Sequence, residues 1–333
     1  MASSAVDRLS VPAELSARFG EALRAVWPEC DAELAPMLGI AVSGGPDSTA
    51  LLLLAASTLP GRIAAATVDH GLRPENAQEA ADMAALCAVL GVAHATLPVT
   101  LEPGNVQGAA RQARYAALGA WAQAEGLAAV ATAHHADDQA ETLIMRLNRA
   151  SGVAGLAGVR ARGRLLDTPI GLVRPLLGWR RAELTAIVAK AGVSAADDPS
   201  NADDRFDRAR LRKVLAGADW LDMAAIAQSA AHIADADAAL NWSADMEYNA
   251  RVKRDPFGMT YRPMAPKAIA LRVIARIVAE LDAPARGSAI ARLFDALVAG
   301  EPASIGNLVV RPNAGGWSFA KAPVRKAMRG KSR

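Results

Sequence analysis

Two consecutive glycines, three hydroxyls and one carboxylate fall within the stretch Ser43-Gly44-Gly45-Pro46-Asp47-Ser48-Thr49. Gly44 and Gly45 allow left-handed backbone angles and close approach to a ligand, and Pro46 suits a first helical position, where its missing N–H would have no partner anyway. Unpaired N–H groups at a helix start, backed by the helix dipole and the Ser43, Ser48 and Thr49 hydroxyls, make an anion site. A Walker cradle requires a lysine after its last glycine, and none lies between Ser43 and Arg62, so a γ-phosphate clamp of that kind is not expected. Asp47 would repel a polyphosphate unless a Mg²⁺ ion lies between them; the other reading is that it caps the helix.

A second cluster is Asp137-Asp138-Gln139-Ala140-Glu141. At the start of a helix, acids three and four apart share one face, and like charges grouped there call for a cation, either Mg²⁺ or the ammonium of an amine substrate. An acidic first turn that complements the dipole explains one or two of these acids but less easily three. His134 and His135 precede them; on a strand end adjacent side chains point to opposite sides, so one of the two is expected to be structural. No further ligands stand at zinc spacing. His70 follows Asp69, and Arg111 and Arg114, three apart, can reach one phosphate or line one groove; a solvated basic face is the alternative for them.

These clusters need elements to hold them. Residues 38–42, 62–68, 92–97 and 127–132 read as buried strands, alternating with helices over 47–57, 75–90, 105–125 and 137–149. That alternation predicts an α/β fold with a parallel sheet covered by helices on both faces, and ligands bind such sheets beyond the carboxyl ends of the strands. Beyond residue 216 the pattern turns to helices over 220–242, 266–281 and 288–299, then an apparent β-hairpin over 308–319 around Asn-Ala-Gly-Gly. The expected organisation is an N-terminal helical extension over 1–35, a catalytic domain over 36–215, and a smaller helical accessory domain over 216–333 with a terminal hairpin and basic tail.

The chain has 333 residues, 52% hydrophobic, with a net charge of +3, which is ample for two buried cores. Apolar runs fall far short of the roughly 20 residues that span a bilayer, and the start has no signal-peptide layout, so a cytoplasmic protein with no membrane partner is expected. The two cysteines, Cys30 and Cys87, show no metal or disulfide spacing. From Pro302 to Arg333 there are seven basic residues and no acidic one, and Arg205, Arg208, Arg210, Arg212 and Lys213 cluster mid-chain; such clusters suit a phosphate-backbone partner or a solvated face.

The Ser43–Ser48 stretch matches the S-G-G-x-D-S signature of the N-type ATP pyrophosphatases (the PP-loop superfamily, with an adenine nucleotide alpha hydrolase-like fold). The chain further resembles the tRNA(Ile)-lysidine synthetases through residues 68–73 (VDHGLR), 110–115 (ARQARY), 133–142 (AHHADDQAET), 174–177 (RPLL), 198–201 (DPSN) and 206–212 (FDRARLR). The resemblance implies ATP cleavage between the α- and β-phosphates with Mg²⁺: the wobble cytidine of an isoleucine tRNA with a CAU anticodon is adenylated at its C2 oxygen. The ε-amine of free lysine then attacks C2 and expels AMP.

Carried onto this chain, the resemblance gives Ser43, Gly44, Gly45, Pro46, Asp47 and Ser48 to the phosphates, with Asp47 as the metal contact and Asp69 beside the adenosine. Asp47, Asp138, Glu141 and Arg111 are the expected catalytic residues, and Asp137, His134, Arg114, Arg208 and Arg212 the expected substrate contacts. The basic tail from Lys321 is expected to touch tRNA phosphates, and the oligomeric state is left open, a homodimer being one arrangement the sequence allows. Two alternatives stand beside this reading. One is a tRNA cytidine thiolase of the same superfamily, which would need clustered cysteines. The other is a non-catalytic ATP-sensing RNA-binding module, which would not need so many acids beside phosphates.

Overall fold

A computed structural model of the chain describes residues 9–31, 37–71, 75–100, 106–196 and 207–322. They fall into two compact units that divide at Ala234 and Asp235.

The first unit is built on a six-stranded sheet in the order β3-β2-β1-β4-β6-β5. Its strands are β1 (Leu38–Ala41), β2 (Ile63–Asp69), β3 (Ala93–Pro98), β4 (Ala129–Ala131), β5 (Arg162–Arg164) and β6 (Gly171–Val173). All neighbouring pairs run parallel except the edge pair β5–β6, which is antiparallel. The expected parallel sheet is therefore present, enlarged by β5 and β6. Their three-residue length gave too short a periodic signal to be read from sequence.

Helix α1 (Ala13–Val26) and a 3₁₀ turn (Pro28–Asp31) precede the sheet. The Rossmann-like alternation continues with α2 (Pro46–Thr58), α3 (Glu75–Leu90), α4 (Val106–Ala124), α5 (Ala136–Leu147), the short α6 (Val153–Leu156), α7 (Arg181–Lys190) and α8 (Asp207–Ala216). Residues Leu51 to Leu54 of α2 are all buried, so this helix is apolar around its whole circumference and is enclosed by the core rather than laid on it. The strand neighbours of β1 are β2 on one side and β4 on the other, so the connections leave β1 and β4 in opposite directions and open a crevice at their carboxyl ends.

Gly39 in β1 has a packing reason. A Cβ there would stand 2.8 Å from Trp121 Cζ3 and 3.0 Å from Leu127 Cδ1, so the absence of a side chain lets α4 lie directly on the strand. Gly39→Val should lower the thermal midpoint by about 3–10 °C through overpacking. An unchanged midpoint in a calorimetric scan would show that Trp121 can yield.

The second unit holds α10 (Lys267–Glu280), α11 (Gly287–Val298) and a five-stranded antiparallel sheet ordered β7-β8-β11-β10-β9. The strands are β7 (Val252–Asp255), β8 (Gly258–Tyr261), β9 (Ala303–Ile305), β10 (Leu308–Asn313) and β11 (Gly316–Lys321). The hairpin over 308–319 is present as β10–β11, but it is the centre of a sheet rather than a lone hairpin. The long helix α9 (Met223–Arg251) runs nine residues beyond the expected end at 242. The unit's core joins Tyr261, Trp317, Phe319, Leu308 and Val310 of the sheet to Ile274, Ile277 and Leu293 of the helices. The basic tail beyond Ala322 lies outside the described residues, as do Leu72, Arg73, the 198–201 motif, Arg205 and Phe206.

Candidate active site

The loop between β1 and α2 is built as a rigid cradle. Gly44 has φ of +82°, a left-handed angle that disfavours any side chain. Gly45 is the N-cap of α2, Pro46 its first residue and Asp47 its second; the cap position is thus taken by glycine, which removes the capping role for Asp47. The Ser43 N–H donates to Ser48 Oγ at 3.0 Å, and the Ser48 and Thr49 hydroxyls each donate to the Gly45 carbonyl at 3.0 Å. The loop fixes its own shape with side chains and presents the start of α2 to a cavity of about 650 Å³ at the carboxyl ends of β1 and β4.

Opposite the cradle, residues 132–135 have left β4 and lead into α5. This bend overturns the expectation that the two histidines face opposite ways: both His134 and His135 line the cavity. They have opposite electrostatic fates. His135 is 3% exposed and meets three carboxylates, with Nε2 at 3.4 Å from Asp47 Oδ2 and 3.5 Å from Asp138 Oδ2, and Nδ1 at 3.6 Å from Asp137 Oδ2. Burial alone would lower its pKa, but the Asp137 and Asp47 carboxylates set against its nitrogens and the charge of Asp138 outweigh burial and raise it to about 9. His135 is an imidazolium at neutral pH. His134 pairs Nδ1 with Thr132 Oγ1 at 3.0 Å; burial, then the charge of Arg174, lowers its pKa to about 4, so it is neutral.

The acids separate in the same way. Asp137 accepts from Arg180 Nη2 at 3.0 Å and from the Arg181 N–H at 2.8 Å, which ties the start of α5 to the start of α7. Burial opposes ionisation of Asp137, but His135, Arg180 and the Arg181 N–H hold its carboxyl well below the usual carboxylate range. Asp137→Ala should cost about 3 kcal/mol by leaving these donors unpaired; urea unfolding measures it, and a loss below about 1 kcal/mol would mean that water replaces the carboxylate. Glu141, 3% exposed, accepts from Arg212 Nε at 2.8 Å and Nη2 at 3.1 Å, and Arg208 Nε stands 3.0 Å from its Oε2. Arg208 also donates to Thr142 Oγ1 at 2.8 Å. The cations that Asp137 and Glu141 call for are therefore the protein's own arginines.

Asp47 differs from these acids. Its Oδ2 faces His135, while Oδ1 is buried with no hydrogen-bond partner among the described residues. A buried, unpartnered carboxylate oxygen beside an anion cradle fits a Mg²⁺ ion. Among the described residues no group of three or more His, Cys, Asp or Glu is placed to hold a metal by itself. Such an ion would thus rest on one carboxylate and on phosphate and water oxygens.

A family model for the PP-loop domain matches residues 19–218. A protein of Novosphingobium aromaticivorans described as tRNA(Ile)-lysidine synthase is 46% identical over 87% of this chain and 90% of its own. One of Zymomonas mobilis subsp. mobilis with the same description is 38% identical over 92% of this chain and 94% of its own. The chain belongs to the tRNA(Ile)-lysidine synthase family. Among solved structures, the U34-tRNA thiolase NcsA from Methanococcus maripaludis shares the fold, with a TM-score of 0.53 at 14% identity over 67% of this chain and 77% of that one.

Set on the fold of this lysidine synthase family member, most of the expected residues converge. Ser43, Gly45, Pro46, Asp47, Ser48, Arg111, Arg114, His134, Asp138, Arg208 and Arg212 line the cavity. Gly44 shapes the loop without lining it, and Asp69, at the end of β2, turns its Oδ1 to the Gly71 N–H at 2.8 Å. Asp137 and Glu141 stand behind the wall, on arginines. Sequence reasoning missed His135, Arg180 and Arg181; the paired histidines ahead of three acids were a signal for the first, whereas the arginines gave none, because α7 meets α5 only through the fold. It also gave no role to Tyr115, which lines the cavity with the Arg111 guanidinium 4.9 Å above its ring.

Proposed function

We propose that the chain ligates lysine to C2 of the wobble cytidine of an isoleucine tRNA with a CAU anticodon, using ATP. The observation that carries the reading is the cradle at the start of α2 with the unpartnered Asp47 Oδ1 beside it, in a chain of the lysidine synthase family. In the first step the cytidine C2 oxygen attacks the α-phosphorus of ATP and pyrophosphate leaves. In the second the lysine ε-amine attacks C2, loses a proton and expels AMP.

The cradle, four arginines, Asp138 and His134 each have work in this scheme. The α2 N-terminus, including the Ser48 backbone N–H, and the Ser43 hydroxyl bind the departing phosphates. Arg111 and Arg114 on α4, and Arg208 and Arg212 on α8, supply positive charge to phosphates of ATP and tRNA. Asp47 would hold Mg²⁺, which would neutralise phosphate charge. Asp138, the remaining cavity acid beside His135, receives the lysine ammonium, and the neutral His134 offers a proton acceptor to the amine. A tRNA substrate supports a cytoplasmic location for the reaction. Among the described residues no helix is long and apolar enough to cross a membrane.

The thiolase reading is disfavoured by the thiols: Cys30 and Cys87 are both buried, and burial pushes the Cys87 thiol up to about 11, where it stays protonated and unreactive. Purified protein with ATP, Mg²⁺, radiolabelled lysine and the CAU-bearing isoleucine tRNA should transfer label to precipitated RNA, dependent on ATP. Pyrophosphate release without label would keep adenylation and reject lysine. Absence of both, with ATP still bound, would favour the ATP-sensing module.

A further inference from the structure

The cavity contains one buried charged side chain that the proposed reaction does not use. His135 touches Asp47 from α2 and Asp137 and Asp138 from α5, and through Asp137 it is linked to Arg180 ahead of α7. Its two nitrogens face different partners: Nε2 stands 3.4 Å from Asp47 Oδ2 and 3.5 Å from Asp138 Oδ2, while Nδ1 lies 3.6 Å from Asp137 Oδ2, near enough for charge attraction but without a hydrogen bond. Its own backbone N–H donates to Asp138 Oδ2 at 3.2 Å, so the ring leaves the chain at a point already pinned to α5.

An aspartate at the second position of a helix has several staggered side-chain rotamers open to it. Here His135 Nε2 occupies one carboxylate oxygen, Oδ2, and the other, Oδ1, is left buried and unpartnered. We propose that His135 is a positioning residue whose Nε2 fixes the Asp47 carboxylate so that Oδ1 stays uncommitted for the Mg²⁺ of Mg²⁺–ATP. The proposal rests on the reading that Asp47 serves that ion. Outer-shell partners of a metal-binding group orient it, and their loss typically weakens metal binding by about 10- to 100-fold.

The division of nitrogens provides the test. A glutamine amide nitrogen falls near the place of histidine Nε2, and an asparagine amide nitrogen near that of Nδ1. His135→Gln therefore keeps the contact to Asp47, and His135→Asn keeps only the contact to Asp137. Both remove the positive charge, so charge cannot account for a difference between them. Equilibrium dialysis of labelled ATP against the full chain, without tRNA or lysine, measures the half-saturating Mg²⁺ concentration for each variant, and circular dichroism monitors folding.

His135→Gln should stay within about 3-fold of the unsubstituted chain, while His135→Asn should require about 10-fold more Mg²⁺ or beyond. Equal Mg²⁺ requirements in the two variants, or a stronger requirement in Gln than in Asn, would overturn the proposal. Asp47→Ala separates this outcome from the reading beneath it. If that variant keeps the ordinary Mg²⁺ dependence, the role of Asp47 is wrong; if it loses the dependence while Gln and Asn behave alike, only the role of His135 is wrong.

Discussion

Asp47→Ala is expected to lower lysine incorporation into tRNA by about 100-fold or more, because it removes the carboxylate beside the cradle where phosphate charge must be balanced. Asp47→Asn should fail almost as completely. It keeps the size of the side chain and a carbonyl oxygen next to His135 but has no charge to offer an ion. Since Gly45 and not Asp47 caps α2, the helix itself should survive both changes, with a thermal midpoint within a few degrees of the parent. Label transfer by Asp47→Asn at more than about a tenth of the parent rate would leave Asp47 with a shaping role only.

The metal-free protein is expected to be most stable near pH 6.5 and to weaken on both sides. The folded state raises His135 from 6.5 to about 9. Its contribution is therefore complete below pH 6.5 and is lost as pH rises through 9. The folded state lowers His134 from 6.5 to about 4, so stability is retained above pH 6.5 and lost as pH falls toward 4. Each limb amounts to about 3 kcal/mol. Asp137, ionised against burial by His135 and Arg180, adds nothing to this limb: its contribution is complete above its ordinary value of 3.8 and is lost only as pH falls below that. Urea midpoints measured from pH 4 to pH 9.5 in the presence of a chelator give the profile; in His135→Gln the alkaline limb should flatten, and an unchanged alkaline limb would assign it to another group.

Much of this architecture could be read in the sequence because the relevant signals are local. The apolar run at Leu38–Ile40, the double glycine and Pro46 specify strand, turn and helix within a dozen residues, and the structure has β1, the cradle and α2 there. The strands β5, β6, β7, β8 and β9 were not legible. They are three or four residues long and owe their conformation to pairing with neighbours rather than to any period of their own. The acids of 137–141 show the same limit at the level of chemistry. Helical spacing does bring them together, but spacing cannot reveal that Arg180 and Arg212, 43 and 71 positions further along, have already balanced two of them.

The clamp between Glu141 and the two arginines of α8 also bears on how the sequence can vary. A change of Glu141 alone strands two guanidinium groups at the cavity wall, and a change of Arg212 alone leaves a carboxylate that is 3% exposed with only Arg208 beside it. Neither single step is cheap, whereas a paired replacement preserves the balance. Divergence at these positions is expected to be concerted: a lineage that drifts at one should carry a matching exchange at the other, and a chimera joining residues 1–206 of one relative to residues 207–333 of another would be the place where a mismatch is exposed.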